Sequence, residues 1–290
     1  MSTSAALPEG SRVQAARNRH NPVVLLAHAT WSAPPLVLAA AVLGTALFGQ
    51  GWLRLRRRGR PDLAPWSRIA LFAGGLGVAL AGLVTPIDSL GEHELLSMHM
   101  LQHVLIGDVA PALMITAVRG PLLVFLLPAA VLAPIARNRV VRAALSMLLR
   151  PRVAFALWVA NLALWHIPSF YDAALRHPLL HDFEHACWLL AGLLIWTLLV
   201  DPGSHRRLTV GGRVALAAAL FVCGQVLTDV LVFSFQSLYP YYLGAYGLSP
   251  VTDQQLAGVA MMVDQLLTLG VLVFFLLRPR VRRDARLAPA

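Results

Sequence analysis

Residues 181–200 have the sequence HDFEHACWLLAGLLIWTLLV, in which a polar start is followed by an apolar run long enough to cross a membrane. A transmembrane helix needs about 20 mostly apolar residues, because the hydrocarbon layer is about 30 Å thick and each helical residue adds about 1.5 Å. Nothing in this stretch alternates as a barrel strand would, so it is predicted to be a membrane-spanning helix.

Six further segments have this length and apolar character, and together they predict an all-α, polytopic bundle of seven transmembrane helices over residues 31–277. The other predicted spans are 31–53, 66–86, 94–117, 152–170, 212–235 and 254–277. Residues 1–30 are expected to form an external tail, and residues 278–290 a basic cytoplasmic tail. An eighth apolar run, residues 121–135, is too short to cross and contains two prolines, so it is predicted to be re-entrant or interfacial.

The composition also indicates a membrane protein. Of 290 residues, 58% are hydrophobic and 13% are charged, which is too little polar surface for one soluble domain. All 24 basic residues are arginine, which excludes enzymes that need a phosphate-loop or Schiff-base lysine. The net charge of +10 comes from arginine clusters between apolar runs, where membrane lipids rather than nucleic acid are the expected partners. The two cysteines, Cys187 and Cys223, lack redox or zinc spacing.

Four arginine clusters set the predicted orientation. They are Arg54, Arg56, Arg57, Arg58 and Arg60; Arg137, Arg139, Arg142, Arg150 and Arg152; Arg206, Arg207 and Arg213; and Arg278, Arg280, Arg282, Arg283 and Arg286. All four lie on one side if residues 121–135 do not cross, and the positive-inside rule makes that side the cytoplasm. The N-terminus is then outside and the C-terminus inside, although Arg12, Arg17 and Arg19 oppose this orientation.

Two predicted helices each carry a pair of histidines four residues apart. His99 and His103 lie in HMLQH, His181 and His185 lie in HDFEH, and His166 follows in LWHIPS at the outer end of the fourth span. Residues four apart share a helix face, about 6 Å from each other, and can bind one ion. By helical rise, the five imidazoles fall in one layer of the outer leaflet. Since ionisable groups at this depth are costly and mark functional sites, we expect these rings to converge on a metal.

Methionines in this layer favour copper(I) as the metal. Imidazole binds zinc and copper alike, whereas thioether sulfur selects copper(I). The predicted sulfur ligands are Met98, Met261 and Met262, and Met100 lies in the same layer. The alternative role of these methionines is packing, which is common for methionine in apolar helices.

Acidic residues near the histidines are predicted to orient them. Asp182 and Glu184 are candidates to hydrogen-bond the ligating rings, or alternatively they belong to a helix N-terminus that favours carboxylates. The acidic residues placed deeper in the spans are Asp108, Asp229 and Asp264. Proton relay, neutralisation of a bound cation and helix–helix hydrogen bonding all stay open for these three.

Small residues recur at intervals of one to four positions along the second predicted span. They are Ala70, Ala73, Gly74, Gly77 and Ala81. Small side chains let two membrane helices approach closely. We therefore expect this stripe to contact a neighbouring helix.

Three stretches together resemble the CtaG family of cytochrome c oxidase assembly factors. They are MHMLQHVLIGDVAPALMITAVRGP at 98–121, LWHIPSFYDAALRHPLLHDFEHACWLLAGLLIW at 164–196 and DQQLAGVAMMV at 253–263. The resemblance implies a seven-helix bacterial plasma-membrane protein that helps to deliver copper to the catalytic subunit of a haem-copper oxidase. The motif residues of the family fall on His99, His103, His166, His181 and His185, with Asp253 and Gln254 in the closing motif.

We therefore predict a membrane assembly factor that binds copper(I) at its outer face and has no turnover chemistry of its own. The predicted partners are the oxidase catalytic subunit and membrane lipids, with a periplasmic copper chaperone as candidate donor and a homo-oligomer as candidate assembly. One alternative is a zinc-dependent membrane hydrolase that acts on a lipid-like substrate, with an acidic residue as general base. A haem protein is a third reading, which requires ligands from different helices, because histidines four apart on one face cannot bind one haem from both sides.

Overall fold

The computed structural model describes residues 30–278, in which every regular element is a helix and no strand occurs. The predicted all-α membrane bundle is therefore confirmed. Both predicted tails, with the arginines that they carry, lie outside the described residues apart from Thr30 and Arg278.

Long apolar helices alternate with short helices at the two ends of the bundle. In chain order the described α-helices are α1 (Pro35–Arg57), α2 (Trp66–Val84), α3 (Pro86–His93), α4 (Leu96–Val104), α5 (Ala110–Ala117), α6 (Pro121–Phe125), α7 (Ala129–Arg137), α8 (Arg139–Leu148), α9 (Pro151–Trp165), α10 (Pro168–Arg176), α11 (Pro178–Val200), α12 (Val210–Phe233) and α13 (Pro250–Gln265). Many begin at a proline, which suits the first turn because no helical acceptor is lost there.

Two of these helices continue through π-helical turns. Leu105–Val109 joins α4 to α5, and Leu266–Gly270 joins α13 to the helical residues 271–278. A π turn closes hydrogen bonds five residues apart, so it is wider than an α turn. Each of the two spans is therefore one long helix with a widened segment inside it.

Six helical stretches within residues 30–278 are long and apolar enough to cross a membrane. They are Pro35–Arg57, Pro61–Val84, Leu96–Ala117, Pro178–Val200, Val210–Phe233 and Pro250–Arg278. A seventh span is obtained when α8 and α9, which meet at a bend of 70°, are counted as one.

The fourth predicted span, residues 152–170, differs from the structure. α9 ends at Trp165, and α10 begins separately at Pro168. Proline disfavours helical backbone at the residue before it, and Ile167 is accordingly extended, with a ψ of 122°. α9 is 15 residues long, which gives about 22 Å of helix and falls short of the hydrocarbon layer.

The apolar run 121–135 forms no helix long enough to cross, as predicted. It is divided into α6, with 5 residues, and α7, with 9 residues. Pro128 lies between them as the N-cap of α7. α6 packs against α1, so this segment stays at one end of the bundle.

The arginine clusters within residues 30–278 lie at that same end, which we call the arginine end. Arg142 lines a cleft together with Arg207, and the guanidinium of Arg58 lies 4.9 Å from the ring centroid of Phe125. The opposite end consists of α3, α10 and the loop 234–249, and we call it the histidine end.

The centre of the bundle is built by α4, α11, α12 and α13. α13 packs against both α12 and α4, while the π turn Leu105–Val109 packs against α11. These contacts turn one face of α4 toward α11, and that face carries the histidine pair of α4.

The predicted contact stripe on α2 is wrong in its phase. Ala70, Ala73, Gly74 and Gly77 are exposed, and Ala81 is half-buried. The residue in closest contact with α5 is instead Gly75, where an added Cβ would lie 2.9 Å from the Cγ of Met114. Spacing along a helix defines a face, but the neighbouring helices decide which face is covered.

Candidate metal centre

Four histidine rings from two helices meet near the histidine end. α4 supplies His99 and His103, and α11 supplies His181 and His185. The ring centroids are 4.3 Å apart within the first pair, 4.1 Å within the second and 5.1 Å between His99 and His181. All four rings are buried. The structure thus brings together four of the five predicted histidine ligands in what we call the histidine cluster.

Nitrogens from the two helices face one another across this cluster. The Nε2 atoms of His99 and His181 are 3.4 Å apart, and a ring nitrogen of His185 joins them in a set whose atoms all lie within 4.8 Å of one another. Two nitrogens bound tetrahedrally to one ion at about 2.0–2.1 Å are roughly 3.3–3.5 Å apart. The His99–His181 pair is therefore spaced to share one ion.

Two tyrosines fix the ring of His99. Its Nδ1 lies 2.7 Å from the Tyr171 hydroxyl and 3.0 Å from the Tyr242 hydroxyl, and the two hydroxyls are 3.2 Å apart. Tyr242 donates its proton to the Gly91 carbonyl at 2.5 Å. Burial raises the pKa of both tyrosines well above the usual value, so both hydroxyls stay protonated. In the tautomer that carries Nδ1–H, His99 donates to these oxygens, and Nε2 keeps its lone pair for a metal.

The helix α3 crosses α4 closely and brings a carboxylate to His181. An added Cβ on Gly91 would lie 2.9 Å from the backbone nitrogen of His99, so this crossing requires glycine. An oxygen of Glu92 lies 3.5 Å from Nδ1 of His181, and the hydrogen bond from His181 lowers the pKa of Glu92. A carboxylate on Nδ1–H leaves Nε2 of His181 free to bind a metal.

The two acidic residues predicted to orient the histidines differ in their positions. Asp182 is exposed, because adjacent helical residues point about 100° apart and His181 already faces α4. The structure therefore turns Asp182 away from the ring of His181, and Glu92 makes that contact instead. Glu184 is fully buried, with one oxygen 3.6 Å from Nε2 of His103.

Several buried polar atoms of the cluster have no hydrogen-bond partner among residues 30–278. They are both ring nitrogens of His103, both carboxylate oxygens of Glu184 and Nε2 of His185. Each unpaired buried group costs about 1–3 kcal/mol. Imidazole donors of this kind suit copper or zinc, so the residues present fit a metal ion. A second set of atoms within 4.8 Å, from His99, His103 and Glu184, includes a carboxylate.

The fifth predicted ligand, His166, lies beside the cluster. α9 ends just before it, so His166 is the C-cap of that helix. Its Nδ1–H donates to the Leu162 carbonyl at 2.8 Å, and its ring contacts Trp188 at a centroid distance of 5.8 Å. Its Nε2 faces the sulfur of Met100 at 3.3 Å.

The predicted methionine ligands are only partly placed at the site. Met261 lines a cavity of about 70 Å³ beside the cluster, and Met100 lines the same cavity. Met98 instead packs with Leu95 toward the histidine end. Met262 is half-buried on a neighbouring face of α13 and does not line this cavity. Met98 and Met262 therefore lie away from the cavity that Met100 and Met261 line, because each is one helical position from the face that meets the histidines.

The sequence matches the family model for the cytochrome c oxidase caa3 assembly factor, CtaG, over residues 46–283. The chain belongs to this family. Two relatives are uncharacterized proteins, Mb0105 of Mycobacterium bovis and MT0111 of Mycobacterium tuberculosis, each 25% identical over 283 residues. The alignments cover 92% of this chain and 42% of each relative, so the chain spans less than half the length of these proteins. No solved structure gives a significant match.

The closing motif of this CtaG chain holds the scaffold of the site. Asp253 is fully buried and accepts hydrogen bonds from the backbone nitrogens of Leu96 at 2.7 Å and Ser97 at 3.1 Å. It thereby satisfies free N–H groups at the start of α4, the helix that carries His99. Through these two hydrogen bonds Asp253 stabilises the start of α4 and not an imidazole ring.

Gln254 joins α13 to the end of α12 and to the following loop. Its Oε1 accepts from the Leu238 nitrogen at 2.7 Å, and its Nε2 donates to the carbonyls of Leu231 and Gln236, each at 3.3 Å. This loop leads to Tyr242, so Gln254 helps to place the tyrosine that contacts His99. Gln254 therefore acts on the candidate metal centre only indirectly, through the position of this loop.

The deeper acidic residues form a separate pair in the CtaG bundle. Asp108, in the first π turn, accepts from the indole of Trp196 and from Thr268 at 2.8 Å. Asp264 lines the same cavity as Asp108. Asp229 differs from the prediction of a buried group: it is exposed and accepts from Gln225 at 2.8 Å. Helix–helix hydrogen bonding is therefore the role that these contacts give Asp108.

Three residues of this CtaG site were missed by sequence reasoning: Glu92, Tyr171 and Tyr242. Tyr171 lies inside the second resembling stretch, but it has no spacing to a histidine that would single it out. Tyr242 reaches His99 from 143 residues away. Their contacts depend on how α3, α10 and the loop 234–249 fold over the histidine end, which no local pattern encodes.

Proposed function

We propose that this CtaG chain binds copper(I) as cargo at the histidine cluster and helps to insert it into the catalytic subunit of a haem-copper cytochrome c oxidase. The observation that carries this proposal is the 3.4 Å separation of two imidazole Nε2 atoms whose Nδ1 atoms are already engaged. With both rings neutral and each proton on Nδ1, both Nε2 atoms present lone pairs to the same point. A cation between them removes the repulsion between these lone pairs.

Copper(I) suits this site better than a divalent ion. The ligand set of His99, His181 and His185 contains only imidazoles, and within that set a monovalent ion leaves less uncompensated charge in a buried site. Thioether sulfur near the cluster adds preference for copper(I) over zinc. Delivery proceeds by ligand exchange, since copper(I) accepts few ligands and an incoming donor replaces them one at a time.

The orientation of the bundle supports release at the outer face. The positive-inside rule places the arginine end in the cytoplasm, which puts the N-terminus and the histidine end outside the bacterial plasma membrane. His181 follows the start of α11 by three residues, so it lies only about 5 Å below the helix end. An oxidase subunit and a periplasmic copper chaperone have access there, and a homo-oligomer is compatible with it.

The test compares purified proteins in detergent under anaerobic, reducing conditions. Copper(I) is titrated in competition with a chromophoric chelator, and the metal bound after desalting is measured. We expect alanine at His99, His103, His181 and His185 together to weaken copper(I) binding by about 100-fold or more, and to lower the copper content of the oxidase in cells. His177→Ala is the matched control, since this histidine is exposed at the same end. Unchanged binding and unchanged oxidase copper in the fourfold variant would refute the proposal.

One observation favours a second candidate function, a zinc-dependent membrane hydrolase. The buried Glu184 carboxyl lies 3.6 Å from His103 without a hydrogen-bond partner among residues 30–278, as a general base beside a zinc-bound water does. Stoichiometric zinc in the purified protein, with hydrolysis of a lipid-like substrate that Glu184→Gln abolishes, favours this function. Copper binding that Glu184→Gln preserves favours delivery.

A further inference from the structure

A sulfur–nitrogen pair lies next to the histidine cluster. The sulfur of Met100 is 3.3 Å from Nε2 of His166, and both residues line the cavity of about 70 Å³ described above. Met100 is 1% exposed and His166 is 8% exposed. Solvent therefore does not separate the two atoms.

No proton lies between the Met100 sulfur and Nε2 of His166, as the hydrogen bonds of His166 show. The Leu162 carbonyl can only accept, so Nδ1 of His166 carries the hydrogen at 2.8 Å. A neutral imidazole has one N–H, hence Nε2 has a bare lone pair. A thioether sulfur carries no hydrogen either. Two lone pairs thus face each other at contact distance in a buried site.

A cation removes this repulsion. A second proton would convert His166 into an imidazolium, and a buried charge of this kind at membrane depth is costly unless paired. The hydrogen-bond partners that the structure gives the ring nitrogens of His166 are the Leu162 carbonyl and the Met100 sulfur, neither of which is an anion. A soft metal ion binds both available donors, because thioether and imidazole together select copper(I).

We propose that Met100 and His166 form a second copper(I) position, distinct from the histidine cluster and one step along the transfer route. This inference rests on the proposed function, since it concerns the same cargo. Met261 lines the same cavity and is available as a third ligand.

His103 connects the two positions. It follows Met100 by three residues on α4, so the two side chains lie on one side of the helix. Its ring is 5.5 Å from that of His185 in the cluster and 5.3 Å from that of Trp188, which also contacts His166. Both its nitrogens lack hydrogen-bond partners within residues 30–278. An ion leaving the cluster can therefore exchange onto His103 and then onto the sulfur–nitrogen pair.

The experiment measures both the number and the ligands of bound copper(I). Wild-type protein, anaerobic and in detergent, is titrated with copper(I) against a chelator, and X-ray absorption at the copper edge detects sulfur ligands. Met100→Leu removes the sulfur with little change of volume, and Met147→Leu, at an exposed methionine of α8, is the matched control. Elution on gel filtration and thermal unfolding confirm that each variant is folded.

We expect two copper(I) equivalents in wild type, one in Met100→Leu and two in Met147→Leu, with sulfur scattering lost only in Met100→Leu. If the fourfold histidine variant still binds copper(I), we expect that ion to show sulfur scattering. One equivalent in wild type without sulfur scattering overturns the second position and leaves the proposed function intact. Retention of two equivalents and sulfur scattering in Met100→Leu also overturns it. Wild type that binds no copper(I) at all refutes the proposed function itself.

Discussion

Two groups of polar side chains in this bundle are equally buried, but the polar atoms of one group are hydrogen-bonded and several of those in the other are not. Asp253 and Gln254, in the closing motif, are fully buried, and the contacts described above satisfy them at the start of α4 and the end of α12. His103, Glu184 and His185 are also buried, yet each has polar atoms without a partner among residues 30–278. The type of residue does not tell which side chains support the fold and which could bind a ligand. The presence or absence of hydrogen-bond partners does.

The magnitudes explain why the difference matters. A buried hydrogen bond to a charged group contributes about 1.5–3 kcal/mol, and an unpaired buried polar group costs about 1–3 kcal/mol. The first group therefore stabilises the fold, and the second destabilises it until a ligand binds. Variants in the two groups should change different quantities.

The largest effect is expected from Asp253→Ala. The change leaves the Leu96 and Ser97 N–H groups at the start of α4 without acceptors, and we expect the free energy of unfolding to fall by about 3 kcal/mol. Thermal or denaturant unfolding in detergent measures it. Asp182→Ala, at an exposed position, is the control and should change stability by less than about 0.5 kcal/mol. Equal stability of the two variants would remove Asp253 from the scaffold group.

Glu92→Gln should act on metal affinity. A carboxylate that holds a ligating histidine typically contributes a factor of about 10–100 in metal affinity, so copper(I) binding should weaken by this factor. Competition titration measures the change, and Asp182→Asn is the matched control because it neutralises the carboxyl adjacent in sequence to His181. If Asp182→Asn weakens binding and Glu92→Gln does not, the orientation of His181 is assigned to the wrong carboxylate.

Tyr242→Phe should produce a smaller loss, of about tenfold in copper(I) affinity. It removes the hydroxyl that lies 3.0 Å from Nδ1 of His99 and leaves the Tyr171 hydroxyl in place. Tyr241→Phe, at a half-buried neighbour, is expected to bind as wild type. Loss of affinity in both variants would indicate a general effect of the loop 234–249.

The smallest effect distinguishes the two groups by its sign. His103→Leu replaces a ring whose nitrogens have no hydrogen-bond partner among residues 30–278 with an apolar side chain, so the metal-free protein should become more stable by about 1 kcal/mol. Unfolding with a copper chelator present measures it. A destabilisation of this size instead would mean that His103 belongs with the scaffold.

The sequence predicted the helical class, the membrane location and the two histidine faces, because hydropathy sets depth and a four-residue spacing fixes a helix face. It placed His99 and His181 in one layer, and their rings meet. The predicted fourth span continues through Pro168, whereas the helix is divided before this residue because proline disfavours helical backbone at Ile167.

The sequence did not predict which of two adjacent residues on a helix faces the candidate metal centre. Met98 and Met100 flank His99, and only their neighbours determine that Met100 faces His166 while Met98 packs with Leu95. Asp182 adjoins His181 in sequence, whereas Glu92 reaches the ring of His181 from another helix. Such contacts join distant parts of the chain, so composition and periodicity do not specify them.

The π turns at Leu105–Val109 and Leu266–Gly270 have a consequence for how each span meets its surroundings. A wider turn rotates everything after it relative to an uninterrupted α-helix. The half of the span nearest the histidine end and the half nearest the arginine end therefore follow separate angular registers. One continuous helix can therefore present metal-binding side chains to a neighbouring helix at one depth. At another depth it packs against the same neighbour with apolar side chains.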